Sequence, residues 1–223
     1  GVRGERPSHP ELLDWLAVDF REQGWSVKKI LKRIVLSETY RQSSSARPEL
    51  AERDPLNRLV ARQIRMRMSG EGVRDVALAA SGLLNPTVGG PSVKPPQPAS
   101  VTMEGFDNKW EASPGADRYR RGLYTFIQRT SPFAQLVTFD LPESSRSCTR
   151  RERSNTPLQA LTLLNDPVFV EMAQGLASRM IREGRDDRER VLRGYLLTLA
   201  REPKPTEVER MLGYLDQQRK LFR

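Results

Sequence analysis

The residues from Ser154 to Pro167, SNTPLQALTLLNDP, constrain the fold more than any other stretch. Ser154, Asn155 and Thr156 are all good helix N-caps. Pro157 suits the first helical position, where a missing N–H costs nothing. Leu158, Leu161, Thr162 and Leu164 follow at helical spacing, with Ala160 as a small packing residue. Asn165 and Asp166 stop that helix, and Pro167 can open another. Phe169, Met172, Ala173, Leu176, Ala177 and Met180 then recur at i, i+3, i+4, i+7, the stripe of a second amphipathic helix. This is a helix–corner–helix, approached through Arg146, Arg150, Arg151 and Arg153.

Similar punctuation recurs elsewhere. Pro10 and Gly24 bracket a helix over 10–22 that offers Leu12, Leu13, Trp15, Leu16 and Phe20 to a core. Ser26 caps a second helix, with Val27, Ile30, Leu31, Ile34 and Val35 on one side and Lys28, Lys29, Lys32 and Arg33 on the other. After a polar connector over 41–54, Asp54 and Pro55 open an expected third helix. It would carry Leu56, Leu59, Val60 and Ile64, and it would align Arg58, Arg62 and Arg65 as an anion grip or a solvated face. Ser69 caps a fourth helix that ends at Gly82. Its Glu71 and Asp75, one turn apart, are expected to pair with arginines. Downstream, Val191, Leu192, Tyr195, Leu196 and Leu199 form one more stripe, and Thr206 with Glu209 reads as a capping box for the last helix.

Two regions break the helical pattern. Residues 85–117 hold six prolines and four glycines, and loops of such length are typically functional or mobile; this one reads as a linker between helical halves, with a lid or docking loop as the alternative. Trp110 and Phe106 are expected to pin this one. Its Gly89–Pro91 turn is not a phosphate loop, because no GK[ST] follows. GLYTFI at 122–127 reads as a strand, with LVTF at 136–139 as its hairpin partner. The expected fold is therefore mainly α: a multi-helix single domain with a minor two-stranded β element and a long Pro/Gly-rich loop. A helical half over 1–84 would be followed by the loop over 85–117, then by the strand-like segment and C-terminal helices over 118–223.

The balance of charge bears on partners. The formal net charge is +9, and seven of the 37 cations are Lys, which leaves 30 Arg. The sequence pI is about 10.1. Such basicity suits an anionic partner or simply solvated helix faces. The arginines are spread along the chain and aromatics are only 7%, so a base-stacking platform is not indicated and nucleic acid is not the expected partner. No run is long and apolar enough for a membrane span, and mean hydropathy is −0.60. No signal peptide is visible.

Reactive groups are sparse. The single cysteine, Cys148, cannot form an internal disulfide. It reads as an incidental, partly buried thiol, with activation by neighbouring arginines as the alternative. The single histidine, His9, reads as a helix-entry or capping residue rather than a general base. A covalent haem needs C-x-x-C-H, so no cofactor is expected in this domain, and no metal site either. The densest polar set is Arg129, Asp140, Glu143, Arg146, Arg150, Arg153, Asn155 and Gln159. Guanidinium, carboxylate and amide groups in one place can bind an anion or sugar hydroxyls. They can equally form a buried polar network that fastens loop to helix.

Taken with its neighbours, the NTPLQALTLLND string resembles the signature of the planctomycete-type C-terminal domain of unknown function. That domain follows cytochrome-c-like modules in large exported proteins. SHPELLDWLAVDF, GWSVKKILKRIVLSETYRQSS, DPLNRLVARQ, RMSGEGVRDVALAASGLL and RRGLYTFIQRTSPFAQLVTFDLP resemble further segments of the same family, in matching order. The resemblance implies an accessory binding or structural domain, exported to the periplasm or cell envelope. Its partners would be upstream domains of the same polypeptide, including a c-type haem module. A chain that starts abruptly at Gly1 reads as a fragment of such a protein. Two alternatives stand beside this: an enzyme acting on an extracellular carbohydrate or other anionic polymer, with Asp140, Glu143 and Glu152 as acid/base candidates, and a basic nucleic-acid-binding module.

Overall fold

The computed structural model describes residues 6–98, 110–129, 131–148 and 150–222. Phe106, expected to help pin the long loop, lies outside them. The described chain is mainly helical, as its punctuation implies. Contacts divide it into two compact units, Gly1–Met66 and Arg67–Arg223.

In the first unit, α1 (Pro10–Glu22) packs on α2 (Val27–Leu36). The link between them is short because Gly24 and Trp25 both adopt left-handed φ, +70° and +58°. Ser26 caps α2 as expected, accepting the Lys29 N–H at 3.4 Å. His9 occupies the N-cap position of α1, but its side chain does not cap; its Nδ1 lies 2.9 Å from the Ser8 hydroxyl. Leu16 and Phe20 are half-buried, whereas Leu12, Leu13 and Trp15 are not buried as expected. The pair α1 and α2 has one seam, and the apolar side of α1 is wider than that seam.

The expected third helix is replaced by tight turns. A short α3 (Pro48–Arg53) lies upstream, within the expected polar connector. Asp54 then uses its carboxylate to take the N–H groups of Arg58 at 2.7 Å and Leu59 at 2.8 Å. Asn57 grips the Arg62 backbone, donating through Nδ2 to its carbonyl at 2.8 Å and accepting its N–H at Oδ1 at 3.3 Å. Asn57 and Val60 sit at positive φ, +52° and +46°. Side chains that bond the local backbone in this way compete with a helix, so no arginine stripe forms over 58–65.

The second unit is built on α4 (Gly70–Ser81). Ser69 caps it and accepts the Gly72 N–H at 3.2 Å, and Gly82 ends it at φ +76°. Around α4 lie α5 (Ala134–Thr138), α6 (Pro157–Asn165), α7 (Pro167–Glu183), α8 (Asp187–Leu199) and α9 (Pro205–Leu221). Helix α4 contacts α5, α7 and α8. Its Leu78 forms a core with Val168, Phe169 and Met172 of α7. A second cluster joins Trp110 to Phe133 and Leu136, with the Trp110 and Phe133 rings stacked at 5.7 Å. The last helix starts one residue before the expected box: Pro205 takes the first position and Glu207 accepts the Lys204 N–H at 2.8 Å.

The expected hairpin does not form. Residues 136–139 lie in and just after α5, because Phe133 and Leu136 bury at a spacing of three rather than two. Residues 122–124 form a 3₁₀ turn instead of a strand. The segment does make two isolated parallel bridges, Asn85 with Arg120 and Val93 with Thr125, to the Pro/Gly-rich loop. That loop is held closely where it is described. The buried Arg120 donates to the carbonyls of Thr87 at 3.1 Å and Pro91 at 3.0 Å, and to that of Gly89. Its guanidinium lies 3.8 Å from the Tyr124 ring centroid. Trp110 donates to the Pro95 carbonyl at 2.7 Å.

Candidate functional site

Of the polar residues picked out from sequence, Asp140 and Gln159 meet at the turn after α5. Asp140 there has φ +62°, a conformation a short polar side chain tolerates. Asp140 Oδ2 accepts the Ser154 N–H at 2.8 Å and Oδ1 accepts the Ser154 hydroxyl at 2.8 Å. Arg67 supplies the counter-charge to Oδ2. Arg67 also donates to the carbonyls of Ser154 at 2.6 Å and Met68 at 2.5 Å, so one guanidinium joins three segments. The hydrogen bonds from the Ser154 backbone and hydroxyl, with the charge of Arg67, hold the Asp140 carboxyl below the usual aspartate range.

Gln159 continues the network from α6. Thr156 caps this helix, accepting the Gln159 N–H at 3.4 Å, while Gln159 Oε1 accepts the Thr156 N–H at 3.2 Å. Of the three residues suited to cap α6, Thr156 does so because its third successor reciprocates. The buried Gln159 also donates through Nε2 to the Thr138 carbonyl at 3.0 Å and the Ser154 hydroxyl at 3.2 Å. Thus α5, the approach to α4 and the start of α6 are laced together by Asp140, Arg67, Ser154 and Gln159.

The other predicted residues spread away from this knot. Glu143, Arg146 and Arg150 join Asp140, Cys148 and Glu152 around an open hollow of about 460 Å³. Glu143 and Arg146 pair loosely at 3.6 Å, both exposed. Arg129 and Glu143 border an adjoining hollow of about 390 Å³. Arg153 and Asn155 are exposed and line neither. Cys148 is exposed, not partly buried as expected. Among the described residues no three His, Cys, Asp or Glu side chains gather as metal ligands.

Sequence reasoning missed Arg67, whose partner is 73 positions away, and it read Ser154 only as a possible cap. Pairing of Glu71 and Asp75 with arginines was expected, and the partners are Arg151 at 2.8 Å and Arg121 at 2.8 Å. Burial opposes the Glu71 charge, but hydrogen bonds from its own backbone and from Arg151 outweigh it and leave the carboxyl below its ordinary value. The fully buried Arg74 was also missed. It donates to the Arg118 carbonyl at 2.7 Å, and burial lowers its guanidinium to about 10.

What this arrangement can do chemically is limited by how fully it is occupied. A glycosidase needs one carboxyl kept protonated beside one kept ionised. Asp140 is held firmly in the ionised form and both its oxygens are engaged. It acts as a clasp. No curated protein and no solved structure matches the chain. The family described as PSD1, protein of unknown function (DUF1553), matches residues 1–215. With nearly its whole length covered, and in keeping with the helix–corner–helix signature, the chain belongs to the PSD1 (DUF1553) family.

Proposed function

We propose that the domain is a non-catalytic binding and structural module of a larger exported, cytochrome-associated protein of planctomycete type. The observation that carries this reading is the mutual satisfaction of Asp140, Arg67, Ser154 and Gln159, which spend their hydrogen-bonding capacity on one another. Groups used this way fix chain segments instead of turning over substrate. The order of family-like motifs along the chain supports the cytochrome association and export to the periplasm or envelope. Redox chemistry would then belong to a c-type haem module of the same polypeptide. The test is to mix this chain with that module, expressed separately, and measure association by calorimetry. Saturable binding is the expected result; its absence at high micromolar concentration overturns the reading.

A second reading has one observation in its favour. The hollow beside Asp140 gathers the exposed guanidinium groups of Arg146 and Arg150 with the carboxylates of Glu143 and Glu152. That mixture suits sulfate, an acidic sugar or sugar hydroxyls. A thermal-shift screen against acidic and neutral polysaccharides, at low and moderate salt, tests it. The shift should disappear in Arg150→Ala. Release of reducing ends in the same mixtures would promote the reading to an enzyme. For nucleic acid, by contrast, the ion pairs that intersperse the arginines with carboxylates argue against one continuous basic face.

A further inference from the structure

The first unit carries a feature that the Asp140 site does not use. Between α1, α2 and the turns after Asn57 lies an open groove of about 430 Å³. Its walls are apolar: Leu12, Trp15 and Leu16 from α1, Ile34 from α2, and Val60 and Ile64 from the turns. Five of these stand exposed, at 50% for Leu12, 52% for Trp15, 37% for Ile34, 38% for Val60 and 55% for Ile64. Contiguous apolar surface left open in this way marks an interaction site.

The groove is preformed. Gln63 donates through Nε2 to the Tyr40 carbonyl at 2.8 Å, and its backbone N–H reaches the Ser43 carbonyl at 3.1 Å. The Asn57 side chain holds the Arg62 backbone from the other end. The far wall is therefore fixed by hydrogen bonds independent of any occupant.

Charge narrows the choice of partner. The groove adjoins a second hollow of about 630 Å³, with which it shares Arg33 and Ser37, and to which α2 contributes Lys29 and Lys32. Arg62, from the turns after Asn57, also lines the groove. Neither hollow is lined by a carboxylate. Asp19 pairs with Arg33, and no hydrogen bond or ion pair from the side chains of Lys29, Lys32 or Arg62 is found among the described residues. A second copy of this chain would bring the same cations and be repelled. A small amphiphile would leave the half-exposed walls uncovered, since such ligands are normally buried over most of their surface.

Resting on the reading of the domain as a binding module, we infer that this groove docks an acidic amphipathic helix of a partner protein. Its apolar side chains enter between Trp15, Ile34 and Ile64, and its carboxylates meet Lys29, Lys32 and Arg62. This is the helix-in-groove mode, with charge setting specificity and speed of encounter.

The test uses the full chain and a fluorescein-labelled synthetic peptide with Leu at i, i+3, i+4 and i+7 and Glu between them. A control peptide replaces Glu by Lys, and phosphatidylglycerol vesicles serve as a third probe. Anisotropy should show saturable binding of the Glu peptide and none of the Lys peptide. Lys29→Glu/Lys32→Glu and, separately, Trp15→Ala should each weaken it at least tenfold. All three are exposed positions, and circular dichroism checks that the variants stay folded. Equal binding of both peptides, indifference to both variants, or capture by the vesicles in place of the Glu peptide overturns the inference. Haem-module binding together with no saturable binding of the Glu peptide would leave the broader reading standing while removing this one.

Discussion

At the scale of single residues, the informative contrast is between Asp140 and Glu143, three positions apart in a segment rich in arginine. Asp140 is clasped by Ser154 and Arg67, whose side chain is only 13% exposed, whereas Glu143 and Arg146 reach each other loosely in water. Replacing Asp140 by Asn keeps the shape and the tolerance for positive φ but removes the charge. Arg67 is then left partly buried without its counter-ion, so Asp140→Asn should cost about 2–3 kcal/mol in urea unfolding. Glu143→Gln should stay within about 0.5 kcal/mol. Equal losses in the two variants would contradict the assignment of Asp140 as a clasp. Sequence marked both acids as candidates and had no means to separate them. What separates them is Arg67, from another part of the chain, and in a sequence with 30 arginines every acid has many plausible partners.

At the scale of elements, local signals were readable where a residue's own neighbours determine the outcome. Ser26, Ser69 and the Pro157 start all cap or open helices as their chemistry requires. The failures have two causes, one local and one tertiary. Over 54–65, Asp54 and Asn57 divert backbone donors that a helix would use, although the apolar spacing is helical. Over 122–127, tertiary contact overrides strand-like composition. Gly122 lies so close to α4 that an added Cβ would sit 2.7 Å from the Glu71 Cα, and its N–H donates to Asp75 at 2.6 Å. Gly122→Ala should therefore cost about 1–3 kcal/mol, because the obstructing atom is backbone. Gly213→Ala, in the open middle of α9 with nothing within 4 Å of the new carbon, should instead gain up to about 1 kcal/mol. Thermal melts of the two variants should move in opposite directions.

At the scale of the whole molecule, the second unit is bound by carboxylates held in the charged form. Hydrogen bonds from Arg185 bring Glu189 to about 2, and those from Arg201 bring Glu207 to about 2. Hydrogen bonding to Arg219 foremost lowers Asp187 as well. A carboxyl whose folded pKa is depressed stabilises the fold above its unfolded value and loses that contribution as pH falls through the folded one. Asp166, which burial pushes upward, works in the opposite sense, but it is one group against several. Urea midpoints should thus be level above pH about 4.5 and decline toward pH 2. Because these pairs are open to water, added salt should shallow the decline. A midpoint unchanged down to pH 2.5 would show that the pairs are ornamental.

The joint between α6 and α7 carries a mechanical consequence. Asp166 ends one helix and caps the next, accepting the Val168 N–H at 2.9 Å, so the two helices share a residue and have no slack between them. Helix α7 is anchored in the core by Val168, Phe169 and Met172. The exposed row of Leu158, Leu161 and Leu164 on α6 is therefore carried on a stiff bracket. Any force on that row passes straight into the centre of the unit, and a single inserted residue at the joint would swing it out of line.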